Sequence, residues 1–77
     1  MEIVLQFNES ITDLAGNRMG NWVYREQIAS KLNGSDTVTV VIPERIESVA
    51  SSFVEGLYKE LGERYGRQKA EQMMILK

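Results

Sequence analysis

The segment that most constrains the fold is the apolar run TVTVVI, residues 37–42. Its β-branched residues are typical of a strand. Val40, Val41 and Ile42 place apolar side chains on both faces at its end, and such a strand needs cover on both sides. Pro43 has no amide hydrogen to donate, so the strand ends there. We therefore expect a central strand covered by other elements, as in an α/β domain.

Two further apolar segments predict strands that accompany this central one. They are residues 2–7 (EIVLQF) and residues 73–76 (MMIL). Turn-forming residues fill positions 8–17, which we interpret as a loop with Ile11 and Leu14 turned against the domain. Residues 67–72 are polar and predict a simple connection into the last strand.

Two stretches with helical spacing separate the predicted strands. The first covers residues 18–32, and Asn33-Gly34 is a suitable stop after it. The second covers residues 49–65, with Gly66 as its cap, and Gly56 inside it indicates a close approach between helix and sheet. The residues predicted to form the inner face of the first helix are Met19, Trp22, Val23, Ala29 and Leu32, with Ile28 at its margin and Tyr24 on the wetter face.

The resulting order, β-α-β-α-β, predicts a single domain over residues 1–77 with a mainly parallel three-stranded sheet. Crossover connections between parallel strands are right-handed, so sequential strand order would place both helices on one face of the sheet. The other face would then lie bare. Because three apolar strands tolerate water poorly, we expect a second copy of the chain to cover it, which makes a homodimer.

Composition excludes most catalytic chemistry. The chain has no cysteine and no histidine, so thiolate metal sites, cysteine nucleophiles and the commonest general base are absent. We therefore predict that it is not an enzyme and needs no metal or cofactor. A net charge of -2 argues against nucleic acid as a partner. The apolar runs are too short for a membrane span and no secretory signal is visible, so we expect a cytoplasmic location.

The segment between the central strand and the second helix holds the most informative residues. It contains three serines, Ser48, Ser51 and Ser52, at a helix start, where free amides and the positive end of the helix favour an anion. Serine is a preferred N-cap residue, which favours a capping role for Ser48 or Ser51. The alternative is that one serine is a phosphorylation switch, since a phosphoryl group adds about -1.5 to -2 charges beside a binding surface.

Residues 44–57, ERIESVASSFVEGL, following an apolar strand, resemble the strand–loop–helix of STAS domains, found in sulphate transporters and anti-sigma-factor antagonists. The match is closer to the STAS-like family of small uncharacterised bacterial and phage proteins, in which a serine-rich loop runs into a Ser-Phe pair. The resemblance covers about residues 11–77. Ala50 stands where STAS domains have an aspartate, and Phe53 stands where they have a glycine.

What the resemblance implies is a small STAS-like domain that acts as a regulatory protein–protein interaction module. In such antagonists a serine kinase of the histidine-kinase ATPase type phosphorylates the serine at the helix start, which corresponds to Ser51, with Ser52 beside it. The expected partner is such a kinase or a sigma-factor regulator. The predicted partner-binding residues are Glu44, Arg45, Glu47, Ser48, Ser51, Ser52 and Glu55. A second hypothesis is a homo-oligomerising structural module without a phospho-switch.

Overall fold

The structure, a computed structural model, describes residues 1–32 and 37–77. The predicted helix stop at Asn33-Gly34 lies outside the described residues. The elements in chain order are β1 (Glu2–Val4), β2 (Asp13–Leu14), α1 (Asn17–Val23), β3 (Val38–Val41), β4 (Ser48–Val49), α2 (Ser51–Tyr65), α3 (Arg67–Met73) and β5 (Met74–Leu76).

Three parallel strands form the main sheet, in the order β1-β3-β5. The apolar run that predicted a central strand is indeed its middle strand. Val40 pairs with Ile3 on one side and with Leu76 on the other. The predicted α/β class is therefore confirmed, and the strands follow one another across the sheet in chain order.

One face of this sheet packs on the helices and the other is open. Residues alternate along β1, where Ile3 is buried and Val4 is half exposed, and along β5, where Met74 is buried and Ile75 is half exposed. Side chains from the inner face join those of α1 and α2 in one core. Its fully buried large members are Leu5, Leu14, Val23, Ile28, Val38, Val40, Phe53, Leu57 and Met74.

Two glycines let α1 and α2 pack backbone against backbone. A Cβ atom on Gly20 would lie 2.1 Å from the carbonyl oxygen of Phe53, and one on Gly56 would lie 2.1 Å from that of Asn17. No side chain fits in either place. The close approach that Gly56 predicted therefore exists, but it joins two helices and not a helix and the sheet.

This contact fixes which face of α1 is inside. Gly20 faces α2, and Tyr24, one turn later, is only 8% exposed, whereas Trp22 is 57% exposed. The predictions that Trp22 is core and that Tyr24 lies on the wetter face are therefore wrong. After Val23 the helix widens into a π-helical turn over Tyr24–Ile28, which shifts the faces and buries Ile28 completely.

The structure adds three elements that the sequence patterns did not predict, namely α3, β2 and β4, and β4 includes Val49, which was predicted to begin the second helix. The polar residues 67–72 belong to α3, which buries Ala70 and Met73 on its inner side. The short strand β2 lies within the predicted loop 8–17 and pairs with β4 as a second, two-stranded parallel sheet. Leu14 of β2 is fully buried and Ile11 packs against the core, as expected.

Candidate functional site

Two segments meet at the start of α2 and form the candidate site. We call residues 42–52 the junction segment and residues 7–16 the covering loop. The short strands β2 and β4 lie within them and pair Asp13 with Ser48 and Leu14 with Val49. The covering loop therefore runs alongside the chain that leads into α2.

Backbone hydrogen bonds hold the two segments in register. The N–H of Glu47 donates to the carbonyl of Thr12 at 2.7 Å, and the N–H of Ala50 donates to the carbonyl of Leu14 at 2.8 Å. These bonds occupy backbone groups just before the helix. The path of the chain into α2 is thus set by the covering loop.

Two of the three serines add side-chain bonds to the same contact. The Ser48 hydroxyl donates to Oδ1 of Asp13 at 2.5 Å, and Oγ of Ser52 accepts the N–H of Gly16 at 2.9 Å. Ser52 is half-buried, whereas Ser48 is exposed. Both hydroxyls therefore take part in holding the covering loop.

The guanidinium of Arg45 closes the far end of the covering loop. It donates to the carbonyl oxygens of Ile11 at 2.9 Å, of Asn8 at 3.2 Å and of Glu9 at 3.4 Å, and also to that of Phe7. The planar fork of arginine suits several acceptors at once. Arg45 was predicted to bind a partner. The structure gives its N–H groups acceptors within the chain, and a contact with a partner stays a prediction.

Neither Ser48 nor Ser51 is the N-cap of α2. The N-cap residue is Ala50, and no side chain of the described residues caps the helix. The prediction that Ser48 or Ser51 caps the helix is wrong, because backbone groups form the hydrogen bonds at the helix start. Ala50 is extended, its N–H donates to the carbonyl of Leu14, and its own carbonyl accepts from the N–H of Phe53 at 3.0 Å. Ser51 is left as the first residue of α2.

Ser51 differs from its neighbours in being free of the covering loop. Its side chain is exposed, and within residues 1–32 and 37–77 its hydroxyl makes no hydrogen bond. Glu55 lies one turn further along the same face of α2 and is also exposed. The predicted position of Ser51, open to solvent at the start of the long helix, is therefore the position observed.

Two of the remaining predicted residues, Glu44 and Glu47, carry negative charge. Glu44 and Glu47 are exposed in the junction segment, and Asp13 of β2 is exposed beside Ser48. Arg45, the one cation of the junction segment, is turned toward backbone carbonyls. Apart from Arg45, the exposed charged side chains of the junction segment are therefore acidic.

Sequence reasoning missed the covering loop as part of the site. Thr12, Asp13, Leu14 and Gly16 all contact the junction segment, although they are separated from it by more than 30 positions along the chain. Their turn-forming composition indicated a loop. It carried no signal for a two-residue strand, because such a strand is too short to show alternation.

The described ranges contain no group of three His, Cys, Asp or Glu residues placed to hold a metal ion. They also contain no helix with the length and apolar character needed to cross a membrane. In comparisons with family models, with curated proteins and with solved structures, nothing matches this chain.

Proposed function

We propose that this protein is a regulatory protein–protein interaction module that binds a partner through the exposed side of the junction segment and the start of α2. Phosphorylation of Ser51 changes that binding. The observation that carries the proposal is the exposed hydroxyl of Ser51 at the first position of a 15-residue helix. Ser52 and Ser48 hold the covering loop and are less suited to the same role.

The electrostatics of the helix start support a charge-based switch. A phosphoryl group on Ser51 would bring about -1.5 to -2 charges to the positive end of α2, where backbone N–H groups stabilise an anion. It would also raise the negative charge of a surface that already holds Glu47 and Glu55. We therefore expect the partner to offer basic side chains, whose attraction changes when Ser51 is modified.

The kind of partner follows from the resemblance of residues 44–57 to STAS-like domains. A serine kinase of the histidine-kinase ATPase type, or a sigma-factor regulator, is the class of protein that such a domain would bind. The resemblance transfers one residue role only, that of Ser51.

The decisive experiment uses a kinase of this ATPase type encoded beside the gene for this chain. The wild-type protein is incubated with kinase and ATP, and its intact mass and the modified residue are measured by mass spectrometry. We expect one phosphoryl group on Ser51 and none in Ser51→Ala. Ser30→Ala is the matched control, because Ser30 is also exposed but lies in a 3-10 turn, Ala29–Lys31. This variant should be modified like the wild type.

A binding titration completes the test. The unmodified and the phosphorylated protein are titrated into the kinase, and the two dissociation constants are compared. A change of tenfold or more, about 1.4 kcal/mol, is expected if Ser51 is a switch. Unchanged mass after ATP treatment, together with no complex, would contradict the proposal.

A second candidate function is a self-associating structural module, and the open face of the sheet favours it. Val4 is 50% exposed and Ile75 is 48% exposed, although both are strand residues on the side opposite the core. Sedimentation equilibrium at micromolar concentrations tests this candidate. A monomer at every concentration would exclude it.

A further inference from the structure

The free edge of β1 carries unpaired backbone groups. Along this strand the carbonyl of Met1 accepts from Thr39 and the N–H of Leu5 donates to Val41, both at 2.9 Å. Successive residues of a strand turn their N–H and C=O groups to opposite sides, so those of Glu2 and Val4 face away from β3. Within residues 1–32 and 37–77 they make no hydrogen bond.

At two other positions on the sheet edges, side chains form hydrogen bonds with the outward backbone groups. Past the end of β1, the Gln27 amide takes up both backbone groups of Gln6: Oε1 accepts its N–H at 2.8 Å, and Nε2 donates to its carbonyl at 2.9 Å. On the opposite edge, the Tyr58 hydroxyl donates to the carbonyl of Met74 at 2.6 Å. Proteins commonly protect strand edges in such ways. On the β5 edge, only the outward backbone groups of Leu76 make no hydrogen bond within residues 1–32 and 37–77. The longer unprotected stretch lies on the β1 edge, at Glu2–Val4.

We infer that two copies of this chain pair through their β1 edges as antiparallel strands, with Glu2 of each copy opposite Val4 of the other. This inference rests on the self-association proposed as the second candidate function, but it places the contact at the strand edge and leaves the open face of the sheet uncovered. A two-fold axis through Ile3 exchanges the two outward-facing residues, which gives four hydrogen bonds between the copies.

Other antiparallel registers are excluded by residues already described. An axis through Glu2 would place two glutamates directly opposite each other, which is unfavourable. An axis through Val4 would require the backbone groups of Gln6, and Gln27 already occupies them. The pairing of Glu2 with Val4 has neither problem.

The exposed side chain of Trp22 lies on the same flank of the molecule. Gly20 faces α2, and Trp22 is separated from it by roughly 160° around the helix, so it points away from α2. The turn that continues α1 reaches the edge of β1 through Gln27, whereas α2 reaches β5 through Tyr58. Away from α2 therefore means toward the β1 side.

Pairing of β1 edges explains why an aromatic residue is exposed there. The two sheets would join into one sheet of six strands with all helices on the same face, and the two α1 helices would be neighbours across the axis. Trp22, which is 57% exposed in one copy, would then be buried between them. Tryptophan is among the residues that most often dominate the binding energy of an interface.

The experiment measures the dimer dissociation constant by sedimentation equilibrium for the wild type and for two substitutions of one residue. Val4→Pro removes the outward N–H and leaves the bonds to β3 intact. We therefore expect the dimer dissociation constant to rise by at least about 30-fold. Val4→Thr keeps the N–H and changes only the open face; its constant should stay within about threefold. Circular dichroism checks that both variants fold.

The single tryptophan provides an independent readout. Its emission should shift to shorter wavelength as the protein concentration rises through the dissociation constant. Trp22→Ser changes an exposed side chain, so the monomer should fold, while dimerisation should weaken by at least about tenfold.

The outcomes separate the edge from self-association itself. A wild type that stays monomeric overturns both. A dimer that tolerates Trp22→Ser, or whose tryptophan emission does not change with concentration, overturns the edge arrangement while self-association stands. The edge arrangement is also overturned if Val4→Thr dissociates the dimer as strongly as Val4→Pro, because the open face would then be the interface.

Discussion

Adjacent serines at the start of α2 have different surroundings, and this difference decides what each hydroxyl can do. Oγ of Ser52 accepts the N–H of Gly16, a backbone group of the covering loop. Ser51 is exposed, and within the described residues its hydroxyl makes no hydrogen bond. Ser52 is therefore structural, whereas Ser51 is available for modification, although the two residues are chemically identical.

The first prediction compares these two positions by alanine substitution. Ser52→Ala leaves the half-buried N–H of Gly16 without its acceptor, and we expect the free energy of unfolding to fall by about 1 kcal/mol. Ser51→Ala should change it by less than about 0.5 kcal/mol. Thermal denaturation is a suitable measurement, because about 1 kcal/mol moves the melting temperature of a domain of this size by about 4–8 °C. Equal effects of the two substitutions would contradict this assignment.

Between elements, the main contact is the approach of α1 to α2 through Gly20 and Gly56. The absence of both side chains lets two backbones touch, and the core around Phe53 and Leu57 is arranged around that contact. The orientation of α1 follows from this contact and not from its own apolar pattern. This is why Trp22 is exposed while Tyr24 is buried.

The second prediction tests this contact with three glycine substitutions in helices. Gly20→Ala and Gly56→Ala each place a methyl group against backbone atoms that cannot move aside, and we expect losses of several kcal/mol in unfolding free energy. Gly62→Ala is the control, because a Cβ there meets no atom of the described residues within 4 Å. It should stabilise the protein by about 0.5–1 kcal/mol, as alanine favours the helix. Urea denaturation measures all three, and tolerance of alanine at both Gly20 and Gly56 would refute the close contact.

These element-scale contacts also explain which predictions from sequence succeeded. Periodicity and β-branched composition located the three main strands and the helix α2, because each element buries a regular stripe of side chains. Gly66, with φ of 89°, ends α2 as predicted. The burial of Tyr24 depends on a glycine of another helix, and a single-chain pattern carries no information on such a contact.

The candidate site was likewise predictable only in the part that depends on local sequence patterns. Ser51 and its exposed neighbours follow from the strand, proline and helix pattern of residues 37–65. The covering loop does not, because its bonds to Glu47, Ala50 and Ser52 join distant parts of the chain. Long-range backbone pairing over two residues leaves no local signature.

For the whole molecule, the small size makes single interactions important. A chain of 77 residues buries only about 60% of its unfolded surface, and its total stability is modest. Ion pairs that join elements then become visible in stability measurements. The pair between Arg25 and Glu60, with Nε and Oε2 at 2.6 Å, links the region after α1 to α2, and Asn21 donates to the same oxygen at 2.8 Å.

The third prediction concerns the pH dependence of stability. The hydrogen bonds from Arg25 and Asn21 lower the pKa of Glu60 below its ordinary value of 4.5. A depressed pKa in the folded state means that the unfolded chain takes up this proton first as the pH falls. The contribution of Glu60 is therefore fully present above 4.5 and is lost as the pH drops through the folded value. Its size is small, because both side chains are partly exposed and solvent screens the pair.

Glu60→Gln removes this contribution, so its unfolding free energy should fall below that of the wild type at neutral pH, and the two should converge as the pH falls below the lowered folded-state pKa of Glu60. Glu63→Gln is the matched control: it removes the same charge from the same helix, and Glu63 forms no salt bridge with any described residue. Denaturant titrations at neutral and at acidic pH compare the unfolding free energy of each variant with that of the wild type. If the difference between Glu60→Gln and the wild type stayed constant from neutral to acidic pH, the Arg25–Glu60 pair would not be the source of the stabilisation.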